Sequence, residues 1–290
     1  MKAVSEPANF GAVMTEWARG VPSVSGLALI GSRQRSKDDL VWAADALSDW
    51  DFQIITSRPD WIASCEWIKN LRQFEVRACV TRTTRVGQVQ KISALFLGAE
   101  ADFVILPSRK LYIAKLLCRL GLHTSEGWTR RLLQDLAIVI RPGYQFLKDT
   151  GGWQKFYRTT IASVPNPRIS DEQARRLADG FVCDYIWTLR KIARGELLTA
   201  QRMLHRELLE VNLRMLHELK LRRSERTFPD ARRFELIASP EELDSMTIES
   251  SPENLSLKSA IEKSASTVRE LMASLVGNSW QWPLQVDREP

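Results

Sequence analysis

Apolar positions fall into two regimes, short runs in the first half of the chain and long helical stripes in the second. Phe10, Val13, Met14 and Trp17 recur at helical spacing over Ala8–Ala18, and Gly20 with Pro22 ends that pattern. Val24–Ile30 is a compact apolar run that predicts a strand and leads into Gly31-Ser32-Arg33. A second run, Ser48-Asp49-Trp50-Asp51-Phe52-Gln53-Ile54-Ile55, predicts another strand. From Asp60 to Leu71 the stripe Trp61, Cys65, Ile68, Leu71 predicts a helix with its apolar side in the core. Strand pattern returns at Val76–Thr81 and, past a polar break at Gly87, at Lys91–Leu97. The hairpin-length connection Gly98-Ala99-Glu100-Ala101 joins that run to Asp102–Leu106. Leu111–Leu120 reads as a helix closed by Gly121, and the run Leu132–Ile140 follows. Tyr144–Lys148 is a short strand entering Asp149-Thr150-Gly151-Gly152, where Asp149 is read as a turn former.

Ser163-Val164-Pro165-Asn166-Pro167 breaks the pattern and predicts a boundary, giving domains 1–162 and 163–290. Beyond it Ser170 and Gln173 form a capping-box signature, with Asp171 and Glu172 in the favourable first turn. Leu177, Phe181, Tyr185, Leu189 and Ile192 make one stripe, interrupted by Gly195. Leu197, Leu204, Leu208, Val211, Met215 and Leu219 make a second, and Leu257, Ile261, Val268, Leu271 and Leu275 a third. Arg222–Pro229 and Thr247–Pro252 read as loops, and the tail after Gly277 as loosely ordered. The fold class is therefore α+β: an N-terminal mixed β-sheet domain with flanking helices, then a C-terminal helical bundle.

Composition excludes more than it identifies. The chain has 290 residues, 44% hydrophobic and 26% charged, which is ordinary for a globular protein. It carries no apolar stretch of membrane-spanning length, and Met1–Pro7 lacks the apolar core of a signal peptide, so a cytoplasmic location with no membrane partner is expected. Cys65, Cys79, Cys118 and Cys183 show no paired spacing, which argues against zinc or a disulfide framework. His123, His205 and His217 are isolated, and neither a Gly-x-Ser-x-Gly elbow nor a GxxxxGK[ST] loop is present. The net charge of +6 is uneven: residues 1–160 hold 22 Lys+Arg against 15 Asp+Glu, and residues 161–290 hold 19 against 20. A basic first half suits a polyphosphate or a nucleic acid, or is simply a solvated basic surface.

Candidate chemistry lies at the first strands. Side chains alternate along a strand, so Asp49 and Asp51 share a face. Such a pair repels unless a cation sits between, and oxygen ligands of this kind suit Mg²⁺. At Gly31-Ser32 a backbone can approach a ligand closely, while the amide and hydroxyl can hold phosphate oxygens. Gly31-Ser32-Arg33-Gln34-Arg35, then Asp49-Trp50-Asp51 heading a strand, then Asp102 leading another after a turn at Gly98, resembles the nucleotidyltransferase superfamily of DNA polymerase β and the aminoglycoside adenylyltransferases. In the second half, Ile186–Leu197 and Asp230–Glu235 resemble the helical domain of the streptomycin- and 6-type adenylyltransferases.

The resemblance implies an enzyme that moves a nucleoside monophosphate, AMP from ATP foremost, onto a hydroxyl acceptor. Asp49, Asp51 and Asp102 would be catalytic and hold two Mg²⁺ ions, Gly31 and Ser32 would hold the β- and γ-phosphates with Arg33 beside them, and the segment Arg35–Asp39 is long enough to fold over the nucleotide. Glu196 is either an acceptor-binding residue or a first-turn carboxylate stabilising the second helix. The acceptor would be an aminoglycoside or another small hydroxyl compound. Nucleic acid or protein acceptors stay open, as does a non-catalytic, nucleotide-binding interaction protein.

Overall fold

The computed structural model describes residues 10–35, 43–45, 47–71, 74–121, 127–227 and 231–284. The chain divides into two compact units, Met1–Pro167 and Arg168–Pro290.

The first unit is built on a six-stranded mixed sheet. Helix α1 (Phe10–Gly20) precedes β1 (Val24–Ile30), β2 (Trp50–Thr56) and the short α2 (Pro59–Ala63). Then come β3 (Val76–Thr83), β4 (Gln90–Phe96), β5 (Ala99–Pro107), α3 (Ser108–Arg119), α4 (Trp128–Ile140), β6 (Tyr144–Asp149) and α5 (Trp153–Ser163). Strand order is β3-β4-β5-β2-β1-β6, with β2 and β5 parallel and the other neighbours antiparallel. A parallel pair needs a crossover connection, and here the β3–β4 excursion returns the chain to lie beside β2.

The two faces of the sheet bury different sets of side chains. One face packs Phe10 and Met14 of α1 with Phe52, Ile54, Phe96, Phe103, Trp67 and Ile68. Phe10 meets Phe74 and Phe96 at ring distances of 4.6 and 5.2 Å, and Trp17 stacks on Trp67 at 4.1 Å. Each fully buried ring of this kind contributes about 1.5–3 kcal/mol. The other face packs Ile55 and Leu106 against Leu111, Leu133, Leu136, Ile140, Trp153, Phe156 and Tyr157, which come from α3, α4 and α5. Those helices pack on Ile55 and Leu106 near the C-terminal ends of β2 and β5, while Asp51 and Asp102 stand half-buried further toward the strand starts on the same face.

Several expectations are modified. The predicted helix from Asp60 to Leu71 is two pieces, α2 and a 3₁₀ turn Glu66–Asn70, hinged at Cys65 in a left-handed conformation (φ 62°). The break seats the Trp67 ring in the core, its Nε1 donating to the Ile62 carbonyl at 2.8 Å. The connection before Asp102 is shorter than predicted, because β5 already begins at Ala99. Asp149 caps α5, accepting from the Trp153 and Gln154 amides at 2.8 and 3.0 Å.

The second unit comprises α6 (Asp171–Ala193), α7 (Leu197–Met203), α8 (Leu209–Arg222), α9 (Pro240–Met246) and α10 (Asn254–Val276). Ser170 and Gln173 close the capping box of α6. Gly195 ends that helix with φ +72°, a conformation glycine adopts without strain. The second predicted helix is α7 and α8 joined through one π turn, Leu204–Leu208. Buried Glu218 accepts from Arg168 Nε at 3.1 Å, the Ile169 amide at 2.9 Å and Arg222 Nε at 3.1 Å. Of the segment after Gly277, the described residues to 284 pack around tryptophan: Trp282 lies edge-to-face on Phe181 and Tyr185, and Arg269 lies over its ring at 5.3 Å. No helix among the described residues is long and apolar enough to cross a membrane.

Candidate active site: a carboxylate cluster beside an open sheet face

Strand register brings the carboxylates together. Asp51 and Asp102 are direct partners across the parallel β2–β5 pair, so their side chains leave the same face side by side. Asp49, two residues before Asp51, joins them from the entry to β2. One oxygen from each of Asp49, Asp51 and Asp102 lies within 4.8 Å of the others, and all three residues are partly buried. Three carboxylates at this separation repel strongly, and the arrangement fits hard divalent cations, which take oxygen ligands. The three carboxylates could together hold a metal ion.

The turn after β1 is fitted to this cluster. Gly31 to Gln34 form one 3₁₀ turn, and Gly31 has φ +78°. A Cβ at Gly31 would stand 2.3 Å from Asp51 Oδ2, so the carboxylate occupies the space a side chain would need. Glycine at this position leaves room for the Asp51 carboxylate. Ser32 is 2% exposed, and its hydroxyl has no hydrogen-bond partner. A buried hydroxyl without a partner is costly and marks a group suited to a ligand oxygen.

Arg33 does something the sequence did not reveal. Its Nε and Nη2 donate to the carbonyls of Asp49 and Ser48 at 3.0 and 2.6 Å, and its guanidinium lies 4.2 Å above the Trp50 ring. These contacts hold the strand entry that carries Asp49, which makes Arg33 a positioning residue in this structure. The segment expected to fold over a nucleotide lies outside the described residues except for Arg35.

A cation was also missed. Lys91 of β4 places Nζ 2.6 Å from Asp102 Oδ2. Lys91 pairs with Val104 and Ser93 with Asp102, so the contact is a diagonal across the antiparallel β4–β5 pair. Only register reveals it.

A groove of about 450 Å³ runs from Asp49 and Asp102 over the open face. Ala78, Val80, Ser93 and Leu95 line it, with Glu100 beside them. Val80 and Leu95 are 41% and 43% exposed, an apolar floor next to the carboxylates. Cys79 of β3 also borders the groove. Burial, then its contact with Cys65, pushes its thiol up to about 12, which favours the protonated form at neutral pH.

Glu196 belongs to the second unit. It sits at the N-cap of α7 without a side-chain capping bond, and its Oε2 accepts from Lys191 Nζ at 2.7 Å.

No family model and no curated protein matches the sequence. Seven chains of solved structures match, the following two among them. An aminoglycoside 6-adenyltransferase from Bacillus subtilis is 11% identical, with 96% of this chain and 93% of that chain covered and a TM-score of 0.39. A nucleotidyltransferase-like protein from Exiguobacterium sibiricum is 12% identical, with 94% and 77% covered and a TM-score of 0.34.

Proposed function

We propose that the chain is a metal-dependent nucleotidyltransferase that transfers a nucleoside monophosphate, AMP from ATP foremost, to the hydroxyl of a small molecule. The observation that carries this is the convergence of Asp49, Asp51 and Asp102 near the starts of two neighbouring strands, beside a groove. These three carboxylates would hold Mg²⁺, which when bound neutralises charge on the triphosphate. Ser32 offers its unpartnered hydroxyl from the adjoining turn. Arg33 fixes the carbonyls that set the position of Asp49.

In the reaction the acceptor oxygen bonds to the α-phosphorus, and the bond to the oxygen bridging to the β-phosphate breaks. Pyrophosphate leaves with that electron pair, and the hydroxyl proton passes to a carboxylate oxygen of Asp102, which borders the groove. Such transfers need positioning and charge neutralisation more than covalent help from the protein.

The groove supports an acceptor with an apolar face. Beyond the cluster it offers one carboxylate, Glu100, against the aliphatic floor of Ala78, Val80 and Leu95. A hydroxylated ring system with at most one amine suits this lining better than a polycation such as an aminoglycoside.

The test is pyrophosphate release with Mg²⁺ and each labelled nucleoside triphosphate over a panel of hydroxyl compounds that includes aminoglycosides, RNA and protein. Label transferred to one class of acceptor, dependent on Mg²⁺, is the expected result. Nucleotide bound without turnover on any acceptor would favour a non-catalytic binding protein.

A further inference from the structure

The carboxylate cluster already has a cation of its own. Lys91 Nζ is 2.6 Å from Asp102 Oδ2, with the two side chains 30% and 20% exposed. Three carboxylates and one ammonium leave a net charge of two negatives, which a single divalent ion neutralises. Across β3–β4, Lys91 is paired with Arg82, so the same face presents two neighbouring cations. Like charges directly opposite repel, and Asp102 supplies the compensating attraction for Lys91.

Resting on the metal-dependent reading above, we propose that Lys91 is a tethered counter-cation that competes with divalent metal for Asp102. It limits the nucleotide-free site to one weakly held ion. A second ion becomes favourable only with the charge that a triphosphate brings. With its ammonium at hydrogen-bond distance, Lys91 crowds one approach to Asp102 Oδ2 and lowers the negative charge that the carboxylate offers a metal. Once Asp102 is taken by a metal, Lys91 and Arg82 are left as a positive pair on the groove side of the sheet, suited to an anion. Lys91 is thus a positioning residue that keeps the cluster together before ligands arrive.

Direct metal binding tests this without reference to turnover. Free Mn²⁺ is counted by electron paramagnetic resonance during titration of the nucleotide-free protein, wild type against Lys91→Met and Lys91→Arg. The wild type is expected to bind one Mn²⁺ weakly. Lys91→Met is expected to bind Mn²⁺ about tenfold more tightly and to take a second ion, since a unit positive charge is removed from beside the ligand oxygens. Lys91→Arg, which keeps the charge, is expected to behave as wild type. Equal Mn²⁺ binding by all three proteins would overturn the role of Lys91 while leaving the metal site standing. Weaker binding by folded Lys91→Met would also overturn it. No Mn²⁺ binding by any of them, with thermal melts showing folded protein, would overturn the metal reading itself.

Discussion

The carboxylate of Asp51 fills the space into which a side chain at Gly31 would project, with Oδ2 2.3 Å from an added Cβ. Glycine is therefore required twice at this position, by φ +78° and by the carboxylate. Gly31→Ala is expected to lose about 1–3 kcal/mol of stability from backbone strain. It should also weaken divalent binding, because Asp51 must move. Thermal melts and Mn²⁺ titration of the same protein check both effects. An unchanged Mn²⁺ affinity would show that Asp51 can leave its position at no expense to the site.

Arg33 distinguishes positioning from phosphate binding. Its guanidinium bonds to the Ser48 and Asp49 carbonyls and lies over Trp50, a planar fork that lysine cannot reproduce. Arg33→Lys should lower kcat by about tenfold, roughly 1.4 kcal/mol, with little change in KM for ATP. A raised KM with kcat preserved would instead place Arg33 on the triphosphate.

The strand pattern of the first unit was legible because its runs are apolar and short. Val24–Ile30 coincides with β1, and Phe52, Ile54 and Phe103 sit in the core as alternation requires. The Asp49-x-Asp51 pair was legible from strand alternation and Asp102 from the resemblance, and register sets Asp51 opposite Asp102. Lys91 was not, since a diagonal pair needs the β4–β5 register, which local sequence does not encode. The contacts of Arg33 were not legible for the same kind of reason: its partners, Ser48 and Asp49, reach it only when β2 lies against β1. The helix through Asp60–Leu71 was overextended because Cys65 keeps helical spacing while its backbone turns left-handed. Helices α5 and α9 were missed. The first is fixed by the Asp149 cap and the core contacts of Trp153 and Tyr157, the second by a capping box at Ser239 and Glu242 that was readable.

Glu218 makes the stability of the second unit sensitive to acid. Burial alone would raise its carboxyl, but the bonds from Arg168, the Ile169 amide and Arg222 outweigh burial and hold it below its ordinary value of 4.5. A depressed folded-state value means the stabilisation is present above 4.5 and is lost as pH falls through the lower folded value. Urea melts from about pH 6 to about pH 3 should show that loss below 4.5. Glu218→Gln should cost about 3–5 kcal/mol at neutral pH and flatten this acid dependence. An unaltered acid limb in that variant would assign the sensitivity to other groups.

The tail after Gly277 should also matter to stability. Trp282 rests on Phe181 and Tyr185, and Trp280 Nε1 donates to Asp179 Oδ1 at 3.0 Å. Truncation after Ser279 is expected to remove about 2–4 kcal/mol, a loss within the range for deleting packed aromatic side chains. A melting temperature identical to full length would mean those rings pack without net gain.

The central claim is that Asp49, Asp51 and Asp102 hold the metal that holds a triphosphate. Calorimetric titration of ATP into wild type and Asp51→Asn, each with and without Mg²⁺, tests it without knowledge of the acceptor. Wild type should bind ATP well only with Mg²⁺, and Asp51→Asn should lose about a hundredfold in that affinity, roughly 2.7 kcal/mol, while melting no lower. Affinity in Asp51→Asn within about threefold of wild type, or wild-type binding indifferent to Mg²⁺, would contradict it.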